Sequence, residues 1–304
     1  MEDYKIRKFV DSDTPQMQEL IKGLWLDDMS TGECQLIHEE HGPSEFVRES
    51  YTVELNGEAI AFGSIYENNL HYGDLFLAIN VRQDWQRKGI ATELLNLFNK
   101  HTDKKCYTVK TSLKSESSIA FLKKNGFKIS THSATGVVDT DKGLSYLKDI
   151  DLPMELSFRK EFDRQEMADF FSARYREDHF WVPCEELSQE DAMSMFMGEN
   201  VIEGSVISIT KDDKLVAASN LMSIVEGEAY WVWYGVDNQL IDEDFNQRLY
   251  KTLLKKSLEF CKEKGLKLFF EADSVNGEPY YILEAIMKEE FDDSFTVWTR
   301  DINS

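Results

Sequence analysis

Cysteine is scarce in this chain of 304 residues, and the four present, Cys34, Cys106, Cys184 and Cys261, lie far apart without a CxxC pair. Such spacing supplies no disulfide framework and fits a reducing compartment. Long apolar runs are also missing: none reaches the ~18 residues that a membrane-spanning helix requires. The opening Met1-Glu2-Asp3-Tyr4-Lys5 has no apolar signal region. A cytoplasmic location is therefore expected, with neither secretion by that route nor a membrane span. Basic residues are in deficit, 34 Lys and Arg against 56 Asp and Glu, for a net charge of −22. Residues 1–150 hold 18 of those bases and 23 of the acids, so most of the negative charge falls in 151–304. A field of this sign repels nucleic acid and anionic membranes, so neither is expected as a partner, and it attracts cations. The same charge also serves solubility.

What the chain does contain is a core-forming composition, 42% hydrophobic and 12% aromatic. Its length calls for two domains, and the pattern repeats at about 150 residues, too long a period for a solenoid. In the first half, Tyr4 to Val10 alternates as a strand. Asp13 or Thr14 caps a helix with Met17, Leu20, Ile21 and Leu24 on one face. Tyr51 to Leu55 and Glu58 to Tyr66 flank Asn56-Gly57, which suits a type I′ turn. Asp74 to Val81 reads as a strand, Lys88 to Asn99 as a helix, and Cys106 to Leu113 as a strand. Ser115 to Asn125 reads as a helix closed by Gly126, with a strand beginning at Phe127. The second half follows the same order: strand Leu156 to Phe162, helix Asp163 to Arg176, and a hairpin over Val206 to Met222. Strand Glu228 to Val236, helix Phe245 to Lys264, strand Leu266 to Ala272, a helix after Pro279 and strand Phe295 to Arg300 complete it. Asp149 to Met154 marks the boundary, so the domains are expected at 1–150 and 151–304, both α+β.

Between the strand at Asp74 and the helix near Lys88 stands Gln86-Arg87-Lys88-Gly89-Ile90-Ala91. A basic, glycine-containing turn that opens a helix is suited to phosphate. The first helical N–H groups lack intrahelical partners, and the helix dipole favours an anion there. Gly89 lets backbone approach a ligand without a Cβ in the way.

These residues resemble the hallmark turn of the GCN5-related N-acetyltransferases, Gln/Arg-x-x-Gly-x-Gly/Ala between a strand and a helix. Ile119-Ala120-Phe121-Leu122-Lys123-Lys124-Asn125-Gly126-Phe127 resembles that family's second signature, a helix closing in Gly-Phe. Motifs carry the likeness over residues 1 to about 140, and fold pattern alone carries it beyond. The resemblance implies two tandem GNAT-like domains, each a mixed, mostly antiparallel sheet flanked by helices. It implies acetyl-CoA as co-substrate, with the backbone from Gln86 through Arg87, Lys88, Gly89, Ile90 and Ala91 to Thr92 on its pyrophosphate. Ile79, Asn80 and Val81 would pair with the pantetheine arm like an added strand. An N–H near Val81 would stabilise the oxyanion.

Two departures touch the chemistry. Many relatives carry a Tyr four residues before the Gly of the second signature, able to protonate the leaving thiolate; here it is Leu122, which has no proton to give. The Asn that often starts that helix is Ser115. Ser115 or Ser117 could reach the thiolate or the pantetheine arm, although Ser117 reads more simply as a cap; Tyr66, Tyr72 or a water are further proton sources. Asp74 and Glu67 are the candidate bases for the amine, with His71 on the loop between them. Cys106 reads as core rather than nucleophile, so direct attack by the amine is expected.

In the second half the phosphate turn maps onto Ile241-Asp242-Glu243-Asp244-Phe245-Asn246, where three carboxylates replace Arg87, Lys88 and Gly89. That half is expected not to bind CoA. His38-Glu39-Glu40-His41 is not an HExxH motif and reads as a solvated loop, so no metal is expected. The run Tyr230 to Tyr234 reads as core, and Phe180 to Pro183 as a weak candidate for an acceptor pocket. The sequence thus predicts an N-acetyltransferase acting on a primary amine of a small molecule or peptide, the acidic bias favouring a cationic acceptor. A CoA-binding sensor without turnover is the alternative, and a structural interaction protein a third reading.

Overall fold

A computed structural model gives the fold, described for residues 4–24, 47–67, 70–71, 74–100, 106–239, 243–291 and 293–302. It forms two compact units. One comprises Met1–His132, Trp181–Cys184 and Ser294–Ser304; the other comprises Ser133–Phe180 and Glu185–Asp293.

In the first unit, strand β1 (Lys5–Lys8) pairs with β2 (Val47–Leu55), and β2 with β3 (Glu58–Tyr66). The β2–β3 turn has Asn56 at φ 52° and Gly57 at φ 88°, the two positive angles a type I′ turn needs. Strand β4 (Asp74–Val81) runs antiparallel to β3 over its whole recorded register, Ala61 against Val81 to Tyr66 against Phe76. Helix α1 (Thr14–Leu24) buries Met17, Leu20 and Ile21. Asp13, just before it, does more than cap. Its carboxylate receives Arg7 at 2.6 Å, the Thr52 hydroxyl at 2.7 Å and the Val10 N–H at 3.1 Å, tying helix to sheet.

Helix α2 (Ile90–Phe98) places Ile90, Leu94, Leu95 and Phe98 on one buried face. Each such side chain contributes roughly 1.5–3 kcal/mol by leaving water. The helix sits close against β3 because Gly63 has no side chain: a Cβ there would meet Leu94 and Phe98 at 3.2 Å. Strand β5 (Cys106–Thr111) and helix α3 (Glu116–Lys124) follow. Gly126, at φ 81°, closes that helix as the sequence predicts.

The edge of β5 is where pattern reading stops being a guide. Its antiparallel partner is β12 (Asp293–Asp301), paired from Thr111–Thr296 to Cys106–Asp301. The strand that directly follows α3, β6 (Lys128–Val138), ends in the second unit, where Ser133–Val138 pair with β11 (Lys267–Asp273). Each sequence half therefore sends its last strand into the other unit. The compact units accordingly divide at His132–Ser133 and take in β12, unlike the 1–150 and 151–304 division.

The second unit contains helices α4 (Thr140–Tyr146), α5 (Arg164–Asp178) and α6 (Gln189–Met197). Strand β7 is reduced to Ser157–Phe158 from the longer strand expected. Strands β8 (Ile207–Lys211), β9 (Lys214–Met222) and β10 (Glu228–Val236) continue the sheet to β11. Helices α7 (Glu243–Lys264) and α8 (Glu278–Met287) cover it. Its core gathers Trp231, Leu253, Leu254, Leu258 and Leu283, all fully buried. Of the aromatic run on β10, Trp231 is core as expected, while Trp233 and Tyr234 are only partly buried.

Candidate active site

The site of the first unit begins where two parallel strands part. β4 and β5 pair only at Asp74–Cys106, Leu75–Tyr107 and Phe76–Thr108. Beyond that last pair β4 stays bound to β3 as far as Val81, while β5 stays bound to β12 as far as Thr111. Each arm is held by its outer neighbour, and a wedge opens between them.

A cavity of about 340 Å³ fills the wedge. Phe76 and Thr108 line its apex, Leu77–Val81 one wall, Val109–Thr111 the other, and the first turn of α2 its mouth. Of the sequence-predicted cofactor residues, Ile79, Asn80, Val81, Gln86, Arg87, Gly89, Ile90, Ala91 and Thr92 all line this one cavity. Lys88 does not: its ammonium sits 3.9 Å from the centre of the Trp85 ring, a cation–π contact. Ser115 does not either. Its hydroxyl donates to Ser118 Oγ at 2.7 Å, and Ser117 and Ser118 line the cavity in its place. The capping role expected for Ser117 is thus not its position here, because it is the second residue of α3 and Ser115 stands at the N-cap.

The local chain at the mouth is built for an anion. Gly89 is the N-cap of α2 at φ 94°, and a Cβ added there would meet nothing within 4 Å. Arg87 is also left-handed, at φ 63°. A left-handed residue followed by right-handed ones turns successive N–H groups into one concavity. The first bond of the helical ladder is from Glu93 N–H to the Gly89 carbonyl at 3.0 Å, so the amides of Ile90, Ala91 and Thr92 precede that ladder. The Gln86 side-chain amide donates to the Val81 carbonyl at 3.1 Å and pins the turn to the end of β4. Pyrophosphate fits this open, basic, glycine-capped mouth, and an extended arm fits the free edge of β4 behind it.

At the apex the polar groups are few. Tyr66 lines the cavity and stacks on Phe76, ring centres 5.5 Å apart. Leu122 lines it too and is buried, so the expected Tyr position brings no proton donor. Thr108, absent from the sequence-predicted candidates, donates its hydroxyl to Asp74 Oδ2 at 3.1 Å. Asp74 is buried behind it and does not line the cavity itself. Glu67 is engaged by the Arg48 guanidinium at the end of β3. His71 is buried. Its Nδ1 carries the proton donated to the Val182 carbonyl at 2.8 Å, and the segment Trp181–Cys184 belongs to this unit. Tyr72 and the His38–His41 stretch lie outside the described residues. Among the described residues, no group of His, Cys, Asp and Glu is arranged to hold a metal.

Cys106 is half-buried. Burial, followed by the charge of Asp74, pushes its thiol up to about 11, so it stays protonated and unreactive at neutral pH.

The second unit repeats the parallel pair and its parting: beyond Trp231–Phe270, β10 stays with β9 to Val236 and β11 with β6 to Asp273. Arg174 of α5 is buried against Gly235 of β10, where an added Cβ would lie 2.6 Å from its Cγ. Its guanidinium donates to the Val236 carbonyl at 3.4 Å and pairs with Glu177 at 2.9 Å and Asp237 at 3.3 Å. No described helix is long and apolar enough to cross a membrane.

Comparison with known proteins bears on both units. Residues 47–129 match the model of the Acetyltransferase (GNAT) domain. A GCN5-related N-acetyltransferase from Sphaerobacter thermophilus is similar in fold, with TM-score 0.64 and 14% identity over 98% of this chain and 96% of that one. A tandem GNAT protein from the clavulanic acid biosynthesis pathway gives TM-score 0.56 and 14% identity, covering 99% of both chains. A GCN5-related N-acetyltransferase from Kribbella flavida gives TM-score 0.52 and 8% identity over 99% of this chain and 72% of that one. No curated protein matches the chain by sequence. At these identities the solved structures speak for fold, and the tandem architecture is the fold of the whole chain.

Proposed function

We propose that the first unit, whose residues 47–129 match the Acetyltransferase (GNAT) domain model, transfers the acetyl group of acetyl-CoA to a primary amine. The observation that carries this reading is the wedge. Nine residues that the sequence assigns to a cofactor line one cavity that runs from a basic, glycine-capped helix start to Thr108, whose hydroxyl donates to the buried Asp74 carboxylate.

Acetyl-CoA supplies an activated acetyl thioester. The chain does the rest. The amides of Ile90, Ala91 and Thr92, with Arg87, hold the pyrophosphate. The edge of β4 from Ile79 to Val81 binds the pantetheine arm as a neighbouring strand would. A backbone N–H of the same edge stabilises the oxyanion as the amine attacks. Asp74 is the base, with Glu67 and Ser115 less well placed because Arg48 and Ser118 engage them. The raised thiol of Cys106 supports direct attack without an acyl-enzyme. The net charge of −22 favours a cationic acceptor, such as a polyamine or a basic peptide end. The second unit does not bind CoA in this reading, because Arg174 occupies the backbone of β10 that a pantetheine arm would use.

The test is an acetyl-CoA turnover screen over a panel of amines, beside Gly89→Glu. Placing a carboxylate in the open space at Gly89 should abolish acetyl-CoA binding by calorimetry while leaving the fold intact. Unchanged affinity would sink the assignment of the mouth. Binding with no turnover of any amine would favour the sensor reading, to which Leu122 lends its one observation.

A further inference from the structure

Leu122 leaves a gap in the chemistry: the departing sulfur needs a proton, and the residue facing it from α3 has none. The opposite wall supplies an alternative. Thr108 is the last residue of β5 paired to β4 and lines the cavity apex, although only 1% exposed. Its hydroxyl proton is committed to Asp74 Oδ2, 3.1 Å away on the facing strand. A hydroxyl that donates its single proton keeps two lone pairs to accept from a neighbour. Asp74 is 7% exposed, and that hydroxyl joins it to the cavity.

The second unit is an internal control. Its parallel pair starts at Glu228–Lys267, as the first starts at Asp74–Cys106, and its third pair is Tyr230–Phe269 where the first has Phe76–Thr108. Counted from the first pair, Phe269 stands in the place of Thr108, although the second ladder runs one pair further, to Trp231–Phe270. It stacks on Tyr230 at 5.1 Å, and the Tyr230 hydroxyl donates to Glu228, the counterpart of Asp74, at 2.8 Å. The carboxylate is kept but turned to an internal partner, and the hydroxyl is gone.

We propose that Thr108 is a catalytic residue, forming with Asp74 a proton relay that takes the proton of the attacking amine and delivers it to the leaving sulfur. This rests on the N-acetyltransferase reading. As the C–N bond forms, Thr108 Oγ1 accepts a proton from the amine nitrogen and passes its own to the Asp74 carboxylate. As the C–S bond breaks, with its electron pair staying on sulfur, Asp74 returns that proton through Thr108 Oγ1 to the sulfur. Asp74 ends as the carboxylate it began as, the products are the amide and the free thiol, and no external acid or base enters. One pair thus serves both steps that relatives divide between a base and a Tyr.

The test compares Thr108→Val, nearly isosteric and without a hydroxyl, with Thr108→Ser, which keeps one. Acetyl-CoA affinity by calorimetry should be unchanged in both. kcat with a turned-over amine should fall about 100-fold or more in T108V, the scale of lost proton transfer, and return in T108S. T108V combined with Asp74→Asn should fall no further than either alone, because the two act as one unit. In ligand-free protein, carboxyl NMR should show Asp74 titrating higher in T108V, since a donor to its charged form is lost. Unchanged kcat in T108V, or loss of acetyl-CoA affinity in both variants, overturns the relay while leaving the acetyltransferase reading intact. A wild-type chain that acetylates no amine overturns the two together.

Discussion

Replacing Trp298 by Ala tests whether the strand that holds the wedge open is borrowed from the far end of the chain. Trp298 is 2% exposed, sits in β12 and joins the core that contains Leu94, Leu95, Phe98 and Leu122. Removing a buried Trp side chain costs about 3–5 kcal/mol, transfer and cavity together. Its indole N–H donates to Thr296 Oγ1 at 2.9 Å, but that hydroxyl also donates to the Thr111 carbonyl at 3.2 Å, so little more is lost. Against the ~5–15 kcal/mol that holds a domain, the variant should stay folded at 25 °C with a much earlier urea transition in the first unit. Acetyl-CoA at a hundred times its Kd should restore about 2.7 kcal/mol, since it binds only the folded wedge. Urea titrations with and without acetyl-CoA, read by hydrogen exchange at β4, β5 and α2 amides, measure both quantities. A loss below about 1 kcal/mol, or one that acetyl-CoA leaves unchanged, would refute the idea that β12 supports the site.

Two further outcomes are expected. Asp178 is half-buried, and burial, then the charges of Glu177 and Asp273 outweighing Arg174, raises its carboxyl from 3.8 to about 7. The folded chain then holds the extra proton between those values, so this residue's contribution is full below pH 4 and drains away as pH rises to 7. Asp178→Asn should flatten that slope and stabilise the second unit at pH 8 by roughly 2–4 kcal/mol, at 1.36 kcal/mol per unit; equal wild-type urea midpoints at pH 5 and pH 8 would count against it. Cys106, with its thiol raised to about 11, should react with iodoacetamide far more slowly at pH 8 than a free cysteine, and Cys106→Ser should retain turnover. Loss of turnover in C106S would reopen the acyl-enzyme route.

The sequence told most about what is local. The Asn56-Gly57 hairpin, the Gln86–Ala91 turn and the closing Gly126 each depend on φ/ψ requirements that a few adjacent residues announce. The apolar spacing of Ile90, Leu94, Leu95 and Phe98 announces a buried face in the same way. Helices α4 and α6 are absent from the sequence reading, although each carries an N-cap signal. Asp139 accepts from the Lys142 N–H at 2.8 Å and Ser188 from the Asp191 N–H at 3.1 Å, both ordinary N-caps. Partner choice was not legible. Alternation shows that β6 and β12 are strands but not which edge each joins, because either would bury the same face. Thr108 was invisible for a related reason: on a strand it is an unremarkable β-branched residue, and only the register against Asp74 gives its hydroxyl a role. Ser115 shows the converse, since a motif position pointed to it while the cavity is lined by Ser117 and Ser118, two and three residues on.

The exchange of last strands bears on how this chain is made and kept. Thr111 and Thr296 meet across a separation of 185 residues. Until that late segment exists, the outer edge of β5 is an open row of backbone donors and acceptors, prone to pair wrongly. Such long-range closure is also slow. Folding of the wedge is therefore coupled to the integrity of the chain's second half. Deleting that half would remove β12, which pairs with β5 from Cys106 to Thr111. The second half thus supplies a strand on which the first unit's sheet depends, whatever its own ligand.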